Sequence, residues 1–190
     1  MNSVKEKIIN SAFDIFMDKG YVETTVSQIS REAGVAYGTV YFHFRKGKDD
    51  VLLKIFTFVM EEFYQVLDQE FQVQTVQQNK EIIYGQMMSS FEIVDKNRRI
   101  MQVVWEAKGK SEIVYHTLHQ LKERFIYRIA EDLKYNRESG LTASKDDLLN
   151  ARALMHMIWG FIWEYTLSEQ FKANEIANAI TTIYMEGVYS

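Results

Sequence analysis

Along this chain hydrophobic positions recur every three or four residues in nearly every window, the period of a helix that buries one face. Ile9, Ala12, Phe13, Phe16 and Met17 mark the first such face. Ser3-Val4-Lys5-Glu6 stands ahead of it as a capping box, in which Ser3 accepts from the Glu6 amide while Glu6 reaches back. Gly20 can adopt the left-handed conformation that ends a helix, so a helix is predicted over 4–19. Thr25-Val26-Ser27-Gln28 repeats the capping pattern before Ile29 and Ala33, and Gly34 supplies the next turn. A third short helix follows from Ala36 to Phe44. There Val40 and Phe44 share one face at i, i+4, and Tyr37, Gly38 and Tyr41 occupy the opposite side.

The pattern then lengthens. Leu52, Ile55, Phe56, Val59, Phe63 and Val66 predict a helix over 48–70, long enough to span roughly 30 Å. Further helices are expected over 76–94, 97–108, 112–137, 144–170 and 173–188, with Ser139-Gly140 as a break and Ser144-Lys145-Asp146-Asp147 as a cap. About nine helices result. The stretch 151–167 is apolar nearly all round and needs cover on two sides. Met155, Ile158 and Ile162, with Ile176, Ile180, Ile183 and Tyr184 of the last helix, are therefore expected at a homodimer interface, as a four-helix bundle. The alternative is a monomer with a fully buried central helix.

Composition narrows this to an all-α chain. The 190 residues include no proline, so little interrupts a helix. The absence of cysteine excludes disulfides, thiolate metal sites and cysteine nucleophiles. The amino-terminus lacks the apolar run of a signal peptide, and 151–167 contains Arg152, His156 and Glu164, too polar for a membrane span. A cytoplasmic protein with no membrane association is expected.

Two short helices joined by a tight glycine turn, with a third completing a small core, form the helix-turn-helix pattern. Gly38 sharpens it. Glycine inside a helix costs about 1 kcal/mol relative to alanine, which suggests close approach by a phosphate backbone or base edge, or by a neighbouring helix of the same chain. The string Thr24-Thr25-Val26-Ser27-Gln28-Ile29-Ser30-Arg31-Glu32-Ala33-Gly34-Val35-Ala36-Tyr37-Gly38-Thr39-Val40-Tyr41-Phe42-His43-Phe44, followed by Lys48-Asp49-Asp50-Val51-Leu52, resembles the TetR family of regulators. The turn Arg45-Lys46-Gly47-Lys48 is one residue longer than the family's commoner form, which makes the correspondence at Lys46 weaker than at Lys48.

The resemblance implies a helix-turn-helix DNA-binding domain over 1–47 and a helical ligand-binding and dimerisation domain over 48–190. It also implies that the third helix enters the major groove, with Ala36, Tyr37, Gly38, Thr39, Tyr41, Phe42 and His43 at the matching positions. Thr25 and Thr39 can donate hydroxyls to phosphate, as can helix amino-terminal amides. Tyr37, Gly38 and Tyr41 are expected to set sequence preference. Lys46 and Lys48 are expected to meet phosphate, and Tyr41 and His43 resemble the family's backbone-contacting pair. No cation lies on the recognition face, so partial reliance on DNA shape and apolar contact is expected. Charge agrees only locally: residues 1–54 carry eight Lys/Arg against seven Asp/Glu, whereas 55–190 carry 14 against 19. Phosphate neutralisation must therefore come from Arg45, Lys46 and Lys48.

In the remainder, Tyr84, Met87, Met88, Phe91, Met101, Trp105, Tyr115, Phe125, Trp159 and Trp163 are expected to line an apolar pocket for a small hydrophobic effector. Arg98, Arg99, Lys108, Lys110, Arg124 and Arg128 suit an acyl-type anion, and Glu92, Glu106 and Glu164 suit a lipophilic cation. No phosphate loop, nucleophile elbow or H-E-x-x-H motif is present, so no enzyme and no cofactor are expected. Glu112, His116 and His119 share a helix face but are read as ordinary residues without a metal. The reading is a dimeric repressor of a pseudo-palindromic DNA operator released by its effector, with a multidrug-type sensor of cations or a ligand-independent DNA-binding protein as alternatives.

Overall fold

The computed structural model describes residues 3–69, 73–142, 145–168 and 170–188, and these form eight helices and no strand. The helices are α1 Val4–Lys19, α2 Val26–Glu32, α3 Tyr37–His43, α4 Lys48–Leu67, α5 Val76–Lys108, α6 Glu112–Glu138, α7 Asp147–Leu167 and α8 Ala173–Val188. The count is one below nine because the predicted helices 76–94 and 97–108 run together through a kink. Asn97 there has φ −116° and ψ 16°, outside the helical region.

Both capping boxes form. Ser3 Oγ accepts from the Glu6 amide at 3.2 Å while Glu6 accepts from the Ser3 amide at 2.8 Å. Thr25 and Gln28 repeat the exchange at the start of α2. The buried stripe of α1 is Ile8, Ala12 and Phe16, turned one residue from the expected face, and Phe13 is exposed. Ile8 and Ile9 differ only in register, and the packing of α1 on α2 decides which is buried. Asp146 caps α7 by accepting from the Leu149 amide at 2.9 Å. Ser144, expected in that cap, lies outside the described residues.

The chain divides into two compact units. The first comprises the residues up to Glu61 with Asn97–Leu118, and the second comprises Glu62–Lys96 with the residues from His119 onward. In the first, α1 packs on α2 and α2 on α3. Its core includes Phe16, Ile29, Val40, Phe44, Leu52 and Phe56, all at most 4% exposed. Burying a side chain of this size contributes about 1.5–3 kcal/mol, which is what holds two seven-residue helices too short to persist alone.

In the second unit α7 packs on α8. Ala151, Leu154, Met155, Ile162, Trp163 and Thr166 are the buried side of α7. Arg152 joins α7 to α6 through a two-pronged pair with Glu123 at 2.8 and 2.9 Å. No helix among the described residues is long and apolar enough to cross a membrane.

Candidate nucleic-acid interface

α3 is anchored from below by Val40 and Phe44, which are 0% and 4% exposed. Its other side is open: Phe42 is 82% exposed, Tyr37 53% and Tyr41 40%. Ala36 and Gly38 are also exposed, and Thr39 and His43 are half-buried. With its inner face locked, the helix holds this aromatic outer face open to solvent, because its side chains cannot collapse into the protein.

Gly38 is not held as glycine by its own chain. Its φ is not positive, so its backbone does not require glycine. A methyl group built on it would meet nothing within 4 Å, so no neighbouring helix requires the space.

The tyrosines on α3 are paired. Their hydroxyls lie 3.3 Å apart and their rings are tilted at a centroid separation of 5.3 Å. The contact holds the Tyr41 phenol above its usual pKa, since a hydrogen-bonded neutral phenol resists ionisation. Phe42 meets His43 edge-on, with ring centroids 5.1 Å apart. Thr25 Oγ1 accepts from the Gln28 amide and donates to Gln28 Oε1, both at 3.2 Å, so its hydroxyl is already held within the cap.

The two lysines behave differently. Lys46 is exposed on the α3–α4 turn, where its backbone amide donates to Asp50 at 2.7 Å. Lys48 turns inward. Its Nζ donates to the carbonyls of Tyr21 at 2.7 Å and Thr24 at 2.8 Å and sits 4.0 Å from the centre of the Tyr21 ring. Desolvation lowers its pKa, with Asp49 and Glu23 opposing. The ammonium ties the α1–α2 turn to the start of α4.

Sequence reasoning missed the residues that hold this head together. Tyr21 donates its hydroxyl to Asp49 at 2.6 Å, and Ser111 donates to the other oxygen of that carboxylate at 2.6 Å. The Tyr21 amide donates to Glu106 at 2.9 Å, and Arg99 donates from Nε to the Met17 carbonyl at 2.9 Å. Burial first, and then the Asp49 hydrogen bond, push the Tyr21 phenol well above its usual range. The seam joins residues 62 and 85 positions apart, beyond any local pattern. The seam also crowds Gly20, where a methyl group would lie 2.7 Å from a Glu106 oxygen at φ +77°.

The residues expected in a pocket fall in both units. Met101, Trp105 and Tyr115 belong to the first; Tyr84, Met87, Met88, Phe91, Phe125, Trp159 and Trp163 belong to the second. Within the second, Phe91 stands edge-on to Tyr165, Phe125 stacks on Tyr64, and Trp159 meets Trp163 edge-on. Trp105 and Tyr115 are exposed, and the Lys108 ammonium lies 4.3 Å from the centre of the Trp105 ring. Several charges considered for an effector already have protein partners. Arg99 and Glu106 lie in the seam, Arg124 pairs with Asp68 at 3.0 Å, and Arg128 pairs with Asp132.

Of the residues expected at a dimer interface, Met155, Ile162, Ile176, Ile180 and Tyr184 are buried within one chain, Ile158 is half-buried and Ile183 is 59% exposed. The open face of α7 is Leu149, Ala153, His156, Gly160, Glu164 and Leu167, and that of α8 includes Ala179, Thr182, Ile183 and Gly187. His116 and Glu112 approach to 3.5 Å on the surface, and no group of three metal-ligating side chains assembles among the described residues.

A helix-turn-helix head with an exposed third helix, followed by helices α4–α8, is the architecture of helical DNA-binding regulators. The family model for bacterial regulatory proteins of the TetR family matches residues 8–55. Over nearly its whole length the chain is similar to the "Fatty acid metabolism regulator protein" of Bacillus subtilis (strain 168), 22% identical over 189 residues, covering 97% of this chain and 95% of the relative. It is likewise similar to the "HTH-type transcriptional regulator SrpR" of Pseudomonas putida, 23% identical over 182 residues, covering 95% of this chain and 83% of that protein. Among solved structures, NalD, "the secondary repressor of MexAB-OprM multidrug efflux pump in Pseudomonas aeruginosa", superposes with a TM-score of 0.75 at 18% identity, covering 98% and 96% of the two chains. Residues 8–55 thus carry the amino-terminal domain of TetR-family regulatory proteins.

Proposed function

We propose that this regulator is a dimeric repressor that binds a pseudo-palindromic DNA operator through α3 and releases it when a small hydrophobic effector occupies the larger helical part. The observation that carries the reading is Gly38. It is a helical glycine that neither backbone nor packing requires, on an open face flanked by Tyr37, Tyr41 and Phe42. DNA supplies what such a face lacks, a surface whose base edges and methyl groups meet a bare backbone and aromatic rings.

Dimerisation is supported by the open face of α7. Gly160 has helical φ, and a methyl on it would meet nothing within 4 Å. With exposed Ala153 two helical turns away and Ile183 exposed on α8, this face suits close packing against a second copy. Two copies present two recognition helices, as a two-fold operator needs. The effector is read as an acyl-type molecule, a choice supported by the likeness to the fatty acid metabolism regulator of Bacillus subtilis. Effector binding shifts the population towards a conformation with altered head separation and lower DNA affinity.

Footprinting the purified protein on its own upstream region, repeated with fatty acids, acyl thioesters and lipophilic cations, tests the reading. A two-fold footprint released by acyl compounds is expected. Release by cations alone would replace the effector class with the multidrug type. No footprint at low salt would end the DNA-binding reading.

A further inference from the structure

α3 sorts its side chains by angle. At roughly 100° per residue, Gly38 and Phe42, two positions either side of buried Val40, project straight away from the protein. Tyr37 and Tyr41, one turn apart, project along one flank, and Thr39 and His43 along the other. Exposure follows this order, with Phe42 at 82% and the tyrosines at 53% and 40%. A helix in the major groove offers its outward line to base edges and its flanks to the phosphate walls.

The tyrosine flank carries more than direction. The separation of 3.3 Å between the two hydroxyls exceeds the roughly 2.7–2.8 Å that O–H···O bonds prefer. Either hydroxyl can be the donor in this pair, so each is able to turn its O–H outward to an acceptor. The Tyr41 ring lies against the α3–α4 turn, where a methyl group on Gly47 would be 3.2 Å from Tyr41 Cε1 and 3.4 Å from its hydroxyl. The same turn carries exposed Arg45 and Lys46. An acceptor arriving there meets two neutral donors beside two cations, a setting that favours an anion.

Granting that α3 binds DNA, we propose that Tyr37 is a phosphate-positioning residue whose hydroxyl, together with that of Tyr41, clamps one backbone phosphate oxygen and reads no base. The sequence alone placed Tyr37 with Gly38 among the residues setting sequence preference. Its angle on the helix and its hydroxyl partner assign it to the wall, leaving Gly38 and Phe42 for the floor of the groove.

The test selects duplexes from a randomised pool with the intact wild-type chain. Wild type and Tyr37→Phe are then titrated against the selected duplex, its single-base-pair variants and an unrelated duplex at several salt concentrations. Tyr37→Phe keeps the ring at an exposed position, and its thermal melt checks that the fold is unchanged. Affinity is expected to fall about three- to tenfold on every duplex, the size of one lost hydrogen bond. The ranking of base variants should stay the same, and so should the salt slope, since a neutral hydroxyl releases no counterion. A changed ranking at one base pair would make Tyr37 a base reader and overturn the assignment, as would affinity equal to wild type. A wild-type chain that enriches no sequence would instead remove the DNA-binding reading itself.

Discussion

At the scale of single residues, the tightest chemistry in the head lies beneath the reading surface, at Tyr21 and Lys48. Tyr21 is 5% exposed and donates a 2.6 Å hydrogen bond to Asp49. Tyr21→Phe is expected to destabilise the fold by about 1–2 kcal/mol at neutral pH, measured by urea denaturation. The pH dependence has a definite sign. The folded pKa of Tyr21 is raised above the ordinary 10.0, so the native state keeps a proton that the unfolded chain loses. Its stabilisation is complete below pH about 10 and is lost as pH rises beyond that value. Lys48 acts oppositely, because its folded pKa lies below 10.5 and the unfolded chain binds the extra proton between the two values. Comparing the slopes of wild type and Tyr21→Phe above pH 10 isolates the tyrosine. A variant with the wild-type alkaline slope would show that Tyr21 does not carry it. Lys48→Met should cost about 2 kcal/mol, by leaving the Tyr21 and Thr24 carbonyls without their donor, and unchanged stability would show that water replaces it.

At the scale of elements, α3 brings stability and function into opposition at one position. Replacing Gly38 by alanine adds a methyl group that touches nothing in the chain and improves helix propensity, so the fold should gain about 0.5–1 kcal/mol. On the proposed function the same methyl group stands where a base edge approaches, and operator affinity should fall about tenfold, the size of one lost close contact. A denaturation curve and a DNA titration on one protein preparation give both signs, and a fall in stability would show that Gly38 serves packing after all. The place of Gly38 inside α3 was legible in the sequence, because it lies two residues before Val40 within the predicted third helix. The capping boxes at Ser3 and Thr25 were legible because their partners are three residues away. The buried face of α1 was legible only to within one residue, since Ile8 and Ile9 are equally apolar and α2 decides between them. The kink at Asn97 appeared as a gap between predicted helices, but no periodicity revealed that the helix continues through it. The inward turn of Lys48 and the Glu106 contact at Gly20 were not legible. They depend on carbonyls and carboxylates brought together from distant parts of the chain, and a lysine at a helix start looks the same whether it faces phosphate or protein.

At the scale of the whole molecule, the apolar pattern of α7 conveyed that more than one face needs cover without showing which face belongs to which partner. Periodicity counts hydrophobic positions; it does not tell a neighbour in the same chain from one in another. The buried side of α7, with Leu154, Met155 and Ile162, is satisfied internally, while Leu149, Ala153, Gly160 and Leu167 stay open. If a second copy covers that stripe, a long charged side chain at its centre must separate the two. Gly160→Arg places such a group where the single chain has empty space, so the subunit should keep its helix content and melt no earlier than an isolated subunit would. Sedimentation velocity should then find a monomer where the wild type is a dimer. Loss of the second recognition helix removes the avidity of two linked half-sites, lowering operator affinity by about a hundredfold or more. Binding to a single half-site should be nearly unaffected, because α3 is unchanged. A dimeric Gly160→Arg protein would move the interface away from this stripe. A monomeric variant that has also lost half-site binding would mean that the substitution damages the head, and only monomer formation with an intact head supports the two-copy arrangement.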